Sequence, residues 1–179
     1  ALSCPNGEMV YRALPSAPAD ATVVVHCAGR TRSILGAQTL IDAGMENPVL
    51  ALENGTMDWD FAGLDLEHDA NRPLDKPTAD AAELAARAAN GMAERVSVTE
   101  IDAATLESWR GADDATLYLF DVRSPAEYAA GHVPGARSTP GGQLVQNVDR
   151  YMVTRNARTV LVDTDGVRAK ASAYWLARM

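Results

Sequence analysis

The sequence predicts an α/β fold, a mainly parallel sheet flanked by helices. Three observations point there: short β-branched runs, apolar residues at helical spacing between them, and an internal repeat that carries both. Thr22–His26 (TVVVH) is a short β-branched run and reads as a buried strand. Ser33–Ala43 follows, with Ile34, Leu35, Ala37, Leu40 and Ile41 at helical spacing, and Gly44 ends it. Pro48–Leu52 (PVLAL) reads as a second strand, and Arg72–Pro77 as a Pro-containing linker. Asp80–Arg95 is Ala-rich, with Asp80 and Glu83 spaced as an N-cap and its partner three residues on, hence a helix. Leu117–Asp121 is a strand, and Ser124-Pro125-Ala126-Glu127 opens a helix with a cap, a proline and a returning glutamate. Thr159–Val162 is a strand, and Arg168–Met179 begins a helix.

The repeat sets the domain organisation. Residues 1–12 (ALSCPNGEMVYR) and 136–147 (ARSTPGGQLVQN) share the frame A-x-S-x-P-x-G-[EQ]-[ML]-V. Ala21–Ser33 (ATVVVHCAGRTRS) then aligns with Ala157–Ala169 (ARTVLVDTDGVRA), after a one-residue change in loop length. A period this long implies tandem domains rather than a solenoid. The second copy has a leader, Val96–Gly135, that the first lacks, and the first has a tail from Ile34 to about Asp69 that the second only begins. The expectation is two partial tandem copies: the back part of one domain over 1–70, a linker and helix over 71–95, and the front part of another over 96–179. On this reading the chain starts inside a domain, and the first copy lacks a front strand and helix.

Composition narrows the function. Apolar residues make up 47% of the 179, enough for a core, but aromatics are only 6%, so Ala, Val and Leu must build it. The net charge of −8 argues against broad nucleic-acid binding, which needs a basic face, while leaving room for a small anionic substrate at a locally positive site. No apolar run is long enough for a membrane span, and the first residues lack a signal-peptide pattern. Cys4 and Cys27 are too few for a disulfide scaffold and form no CxxC pair. A reducing, cytoplasmic setting with no metal and no cofactor is expected.

Cys27 carries the chemistry in this reading. His26-Cys27-Ala28-Gly29-Arg30-Thr31-Arg32-Ser33 lies between a strand and a helix, at the carboxyl end of the strand. Backbone N–H groups of the turn and the first helical turn form an anion cradle there. A thiolate is the anion such a cradle would hold, so the Cys27 thiol should be acidified. Arg30 and Arg32 add charge and fork-shaped donors, and Gly29 permits the tight turn. Free cysteines are common core residues, but two arginines, a glycine and a helix start within six residues have no use in a core loop. His26, lying in the strand, reads as a packing residue rather than a base.

The loop C-A-G-R-T-R-S resembles the active-site loop of the rhodanese family. Asp121-Val122-Arg123-Ser124-Pro125-Ala126-Glu127-Tyr128 through Gly131-His132-Val133-Pro134-Gly135-Ala136 is similar to that family's front motif, D-x-R-x-x-x-E-[YF]-x-x-G-H-[IV]-P-G-A. Glu53-Asn54-Gly55-Thr56-Met57-Asp58-Trp59 resembles the closing G-G-x-x-x-W segment, with a variant glycine pair. The resemblance implies rhodanese-like domains and sulfurtransferase activity. Cys27 would take a sulfane sulfur from thiosulfate or a similar small anionic donor and pass it from a persulfide to cyanide or a thiol. Ala28, Gly29, Arg30, Thr31, Arg32 and Ser33 would bind the donor. Further rhodanese domains of the same protein are the expected partners, with no nucleic acid or membrane. Two alternatives stand beside this: a non-enzymatic sulfur-relay or docking module, and a cysteine phosphatase. Phosphatases use a longer C-x5-R loop, whereas Cys27 to Arg32 is C-x4-R.

In the second copy Asp163 replaces the nucleophile, Asp165 adds a negative charge, and Arg168 keeps the spacing. A carboxylate cannot carry a sulfane sulfur, so this copy reads as a docking domain or a decayed one kept for packing. Asp121, Arg123, Glu127 and His132 read as holding the fold together. Met92 and Trp109 read as core, and Cys4 as non-functional.

Overall fold

The computed structural model describes residues 1–179 and shows two small parallel sheets with helices around and between them. After short 3-10 and π turns over Asn6–Ser16, strand β1 (Val23–Val25) pairs in parallel with β2 (Val49–Ala51), joined by helix α1 (Thr31–Asp42). Helices α2 (Gly55–Phe61), α3 (Ala79–Glu94) and α4 (Ala103–Arg110) follow. The second sheet has the order β4 (Arg137–Ser138), β3 (Leu117–Asp121), β5 (Arg158–Val162), all parallel. Helices α5 (Pro125–Ala130), α6 (Gly141–Gln146) and α7 (Val148–Tyr151) lie between its strands, and α8 (Arg168–Leu176) closes the chain. The expected α/β class with parallel sheets holds.

Local details refine the sequence reading. Helix α1 begins at Thr31, two residues before the expected Ser33. The cap of α3 is Thr78, whose hydroxyl accepts from the Ala81 amide, rather than Asp80. Pro77 and an extended Thr78 start the helix early enough to put Asp80 inside its first turn, where its charge opposes the positive helix end. The Ser124–Glu127 capping box is present as read.

The stretch 71–95 is more than a linker, because α3 lies in the core between the sheets. Ala85, Ala89 and Met92 recur on one face of α3 and are fully buried against Val10, Val167, Ala171 and Tyr174. Small alanines there let α3 approach α8 and the N-terminal turns closely. A second cluster, Met9, Val25, Ala37 and Leu40, packs α1 on β1. Trp109 is only half buried, under the Arg158 guanidinium, and so lies outside the core it was expected to join.

The two sheets differ in cover. Val160 and Val162 on β5 pack against the cluster of Leu106, Leu119 and Ala136. Their counterparts in the repeat, Val24 and His26, are exposed, as is Leu50 on β2. His26 is therefore not the packing residue expected. The β1–β2 sheet lies wholly within residues 1–70, and Ser3 makes an isolated parallel bridge to Pro73 beyond them.

The halves meet along a close seam. Gly7 and Gly142, equivalent in the repeat, touch: a Cβ on Gly7 would lie 2.8 Å from the Gly142 nitrogen, and one on Gly142 would lie 3.0 Å from the Gly7 nitrogen. Trp175 Nε1 donates to Thr39 Oγ1 at 2.8 Å, and the Tyr174 hydroxyl to Asp42 at 2.9 Å, tying α8 to α1.

Candidate active site

Cys27 follows β1 directly and its loop runs into α1, as the β-branched run and helical spacing predict. Cys27 is partly exposed, and its sulfur lies 3.6 Å from the Ser33 hydroxyl, with the Gly29 and Ser33 amides nearby. Burial works against the thiolate. The Ser33 hydroxyl, the two amides and the Arg32 guanidinium outweigh it, so the Cys27 thiol sits below its ordinary range. Cys4 is the contrast: burial first, then the Glu8 carboxylate, pushes its thiol up to about 12. Cys4 packs beside Met9 and Val25.

The neighbouring segment fixes the loop from outside. Thr56 N donates to the Cys27 carbonyl at 2.9 Å and Met57 N to the Ala28 carbonyl at 3.2 Å. Gly55 has φ +63°, and a Cβ there would run into the Cys27 carbonyl oxygen, so the close approach needs glycine. Asn54 takes the left-handed φ of +47°, which Asn tolerates better than most residues. That explains how Asn54-Gly55 can stand in for a glycine pair.

The residues read as donor-binding separate into two groups. Ala28, Arg30, Thr31 and Arg32 are exposed and Gly29 is partly so, whereas Ser33 is 1% exposed and donates to the Arg30 carbonyl at 2.8 Å. Ser33 therefore faces the sulfur rather than the solvent. Neither Arg30 nor Arg32 forms an ion pair. Sequence reasoning missed Asn6, whose Nδ2 donates to the Arg32 carbonyl at 2.8 Å. The available signal was in the repeat, where Asn6 aligns with Gly141.

The loop after β5 occupies the equivalent place but differs in backbone and chemistry: Gly166 has φ +69° where Arg30 has φ −121°. Asp163 accepts from Gly166 N at 2.9 Å and Ala169 N at 2.8 Å, so its carboxylate fills the amide cradle. Burial and the nearby Asp165 carboxylate push Asp163 up. Asp165 is not a free repelling charge, as its sequence position suggested. It accepts from Val167 N and Arg168 N and pairs with the Arg168 guanidinium at 2.6 Å. Arg168, 1% exposed, also reaches Glu8 at 2.9 Å and both oxygens of Glu127. Although burial opposes it, this bidentate pair holds Glu127 well below the carboxylate range, helped by Ser124. The front-motif residues thus make a framework. Arg123 Nε bonds Asp121 at 2.9 Å, and His132 stacks on Tyr128 at 3.7 Å between centroids.

Residues 102–179 match the family model of the rhodanese-like domain. The crystal structure of a thiosulfate sulfurtransferase from Pseudomonas aeruginosa is similar over 99% of this chain, with a TM-score of 0.95 and 51% identity. The chain spans 34% of the length of that protein. A comparison with curated proteins found no match. No helix here is long and apolar enough to cross a membrane. Residues 102–179 thus match the rhodanese-like domain, and the chain as a whole is similar in fold to part of a thiosulfate sulfurtransferase.

Proposed function

We propose that this chain carries a sulfurtransferase site in which Cys27 is the nucleophile and holds the transferred sulfur as a persulfide. The observation that supports it most is the acidified, partly exposed Cys27 thiol, beside the Gly29 and Ser33 amides in a loop with two unpaired arginines. The thiolate attacks the sulfane sulfur of thiosulfate. The new S–S bond forms on Cys27, the old S–S bond breaks, and sulfite leaves with the electron pair. Cyanide or a thiolate then attacks the outer sulfur, takes it, and returns Cys27 as thiolate. The amides stabilise negative charge at sulfur in both steps, and Ser33 adds to this when its hydroxyl turns from the Arg30 carbonyl to the sulfur. Arg30, exposed and outside the set of groups acting on the thiol, is free to meet the sulfonate end of the donor. Ala28, Gly29, Thr31 and Arg32 line the approach.

In this proposal the chain is two partial rhodanese copies, 1–70 and 96–179, joined by 71–95, and the second copy carries no sulfur because Asp163 occupies its cradle. The likeness to a thiosulfate sulfurtransferase over 99% of the chain supports the reading. Steady-state thiosulfate:cyanide turnover tests it. Wild-type protein should turn over and Cys27→Ser should lose essentially all activity. Turnover surviving in Cys27→Ser would remove Cys27 from the mechanism.

A further inference from the structure

The peptide joining Arg32 to Ser33 lies beside the Cys27 sulfur. Its N–H belongs to Ser33, whose hydroxyl oxygen is 3.6 Å from that sulfur, and its C=O, belonging to Arg32, accepts Asn6 Nδ2 at 2.8 Å. A peptide is a rigid plane, so a donor fixed on its oxygen also fixes the direction of its N–H. A hydrogen bond accepted at the oxygen also polarises the amide and strengthens the N–H as a donor.

The equivalent peptide after β5, Arg168–Ala169, is held the same way by a different residue. Its N–H donates to Asp163 Oδ2 at 2.8 Å, and its C=O accepts Ser172 Oγ at 2.7 Å. Here the donor at the oxygen comes from α8 itself, four residues on. In the repeat Asn6 aligns with Gly141, and Gly36 aligns with Ser172. The two halves have exchanged which element supplies the side chain. The side chains exclude one another, because a Cβ on Gly36 would lie 2.9 Å from Asn6 Oδ1 (and 2.9 Å from the flexible end of Met9, which can give way) and a Cβ on Gly141 would strike Ser172 Oγ. Each half holds one side chain and one glycine, and each satisfies the same carbonyl.

We infer that Asn6 is a positioning residue for the Cys27 sulfur, acting through the Arg32–Ser33 peptide and held in place by the seam between the halves. The seam enters because a Cβ on Gly142 would lie 3.1 Å from Asn6 Cβ, so the C-terminal half backs the side chain directly. This gives the Asp163-bearing half a role in the Cys27 site without chemistry of its own. The inference rests on Cys27 being the reactive thiolate.

The test follows alkylation of Cys27 by iodoacetamide against pH, with Cys4 protonated throughout. Asn6→Asp keeps the shape and replaces the donor with an acceptor. It should move the Cys27 profile to higher pH and slow labelling at pH 6 by about threefold to tenfold, the size of losing part of a hydrogen bond to a charged group. Asn6→Gly should do the same. The double variant Asn6→Gly with Gly36→Ser recreates the Gly141/Ser172 arrangement and should return the rate to within about twofold of wild type. A merely structural Asn6 would lower the thermal midpoint and leave the pH profile alone. A wild-type profile in Asn6→Asp, or a folded double variant as slow as Asn6→Gly, would overturn the inference. Persulfide formation by the unaltered protein is measured alongside. Its absence, with the Asn6 pattern intact, would remove the sulfurtransferase reading and leave the positioning role standing.

Discussion

The loops after β1 and β5 occupy equivalent places in the repeat and differ at the Arg30/Gly166 backbone and in what sits on their amides. After β1 a thiol faces the Gly29 and Ser33 amides, and the two arginines stay in solvent. After β5 a carboxylate takes the Gly166 and Ala169 amides, and the arginine is buried among three carboxylates. An amide cradle needs an anion. Where the chain supplies a hard, non-transferring one, the loop becomes a structural joint. Where it supplies a soft nucleophile, the cradle is available for chemistry. The arginines follow suit: Arg168 spends its donors on Glu8, Glu127 and Asp165, while Arg32 contributes only its field to Cys27.

The largest effect that sharpens this contrast is on stability. Arg168→Leu strands Glu8, Glu127 and Asp165 together, and should cost about 3–5 kcal/mol by denaturant melts. Arg32→Leu, at an exposed site, should cost less than about 1 kcal/mol. Equal losses would dissolve the distinction between joint and site. The Arg168→Leu deficit also has a pH sign. Without the guanidinium, mutual repulsion raises the carboxylate pKa values above their unfolded values, so the variant should regain stability as pH falls. In the wild type the sign is opposite. Glu127 is depressed, so its contribution is present above the unfolded carboxylate range and is lost as pH falls toward its folded value.

A smaller effect concerns reactivity. Asp163→Cys places a thiol on the Gly166 and Ala169 amides, and it should alkylate at neutral pH ahead of Cys4. In a Cys27→Ser background it should give little turnover, because Gly166 stands where Arg30 stands in the other loop. Turnover near wild type would show that the cradle alone suffices and that the arginines are dispensable.

Much of this was legible in the sequence. The strands around Val23–Val25 and Leu117–Asp121, the capping box at Ser124 and the position of Cys27 at a strand end follow from local pattern, and the structure has them. What was hidden depends on partners far along the chain. Arg168 meets Glu8 across 160 residues, a contact no local pattern marks, whereas the pairing of Asp165 with Arg168 is local and was open to reading from the i,i+3 spacing. Asn6 reaches Arg32 from another element, and no local rule marks it. His26 looked buried because a β-branched strand usually is, yet the cluster of Leu106, Leu119 and Ala136 against which Val162 packs has no counterpart over it. Periodicity tells which face is apolar but not what lies on it.

The most direct test is the intact mass of the protein after brief exposure to thiosulfate at neutral pH, compared with Cys27→Ser. A gain of one sulfur atom in the wild type, removed by cyanide and absent from Cys27→Ser, is the predicted result. An unchanged wild-type mass, or the same gain in Cys27→Ser, would contradict the assignment of Cys27 as the sulfur carrier.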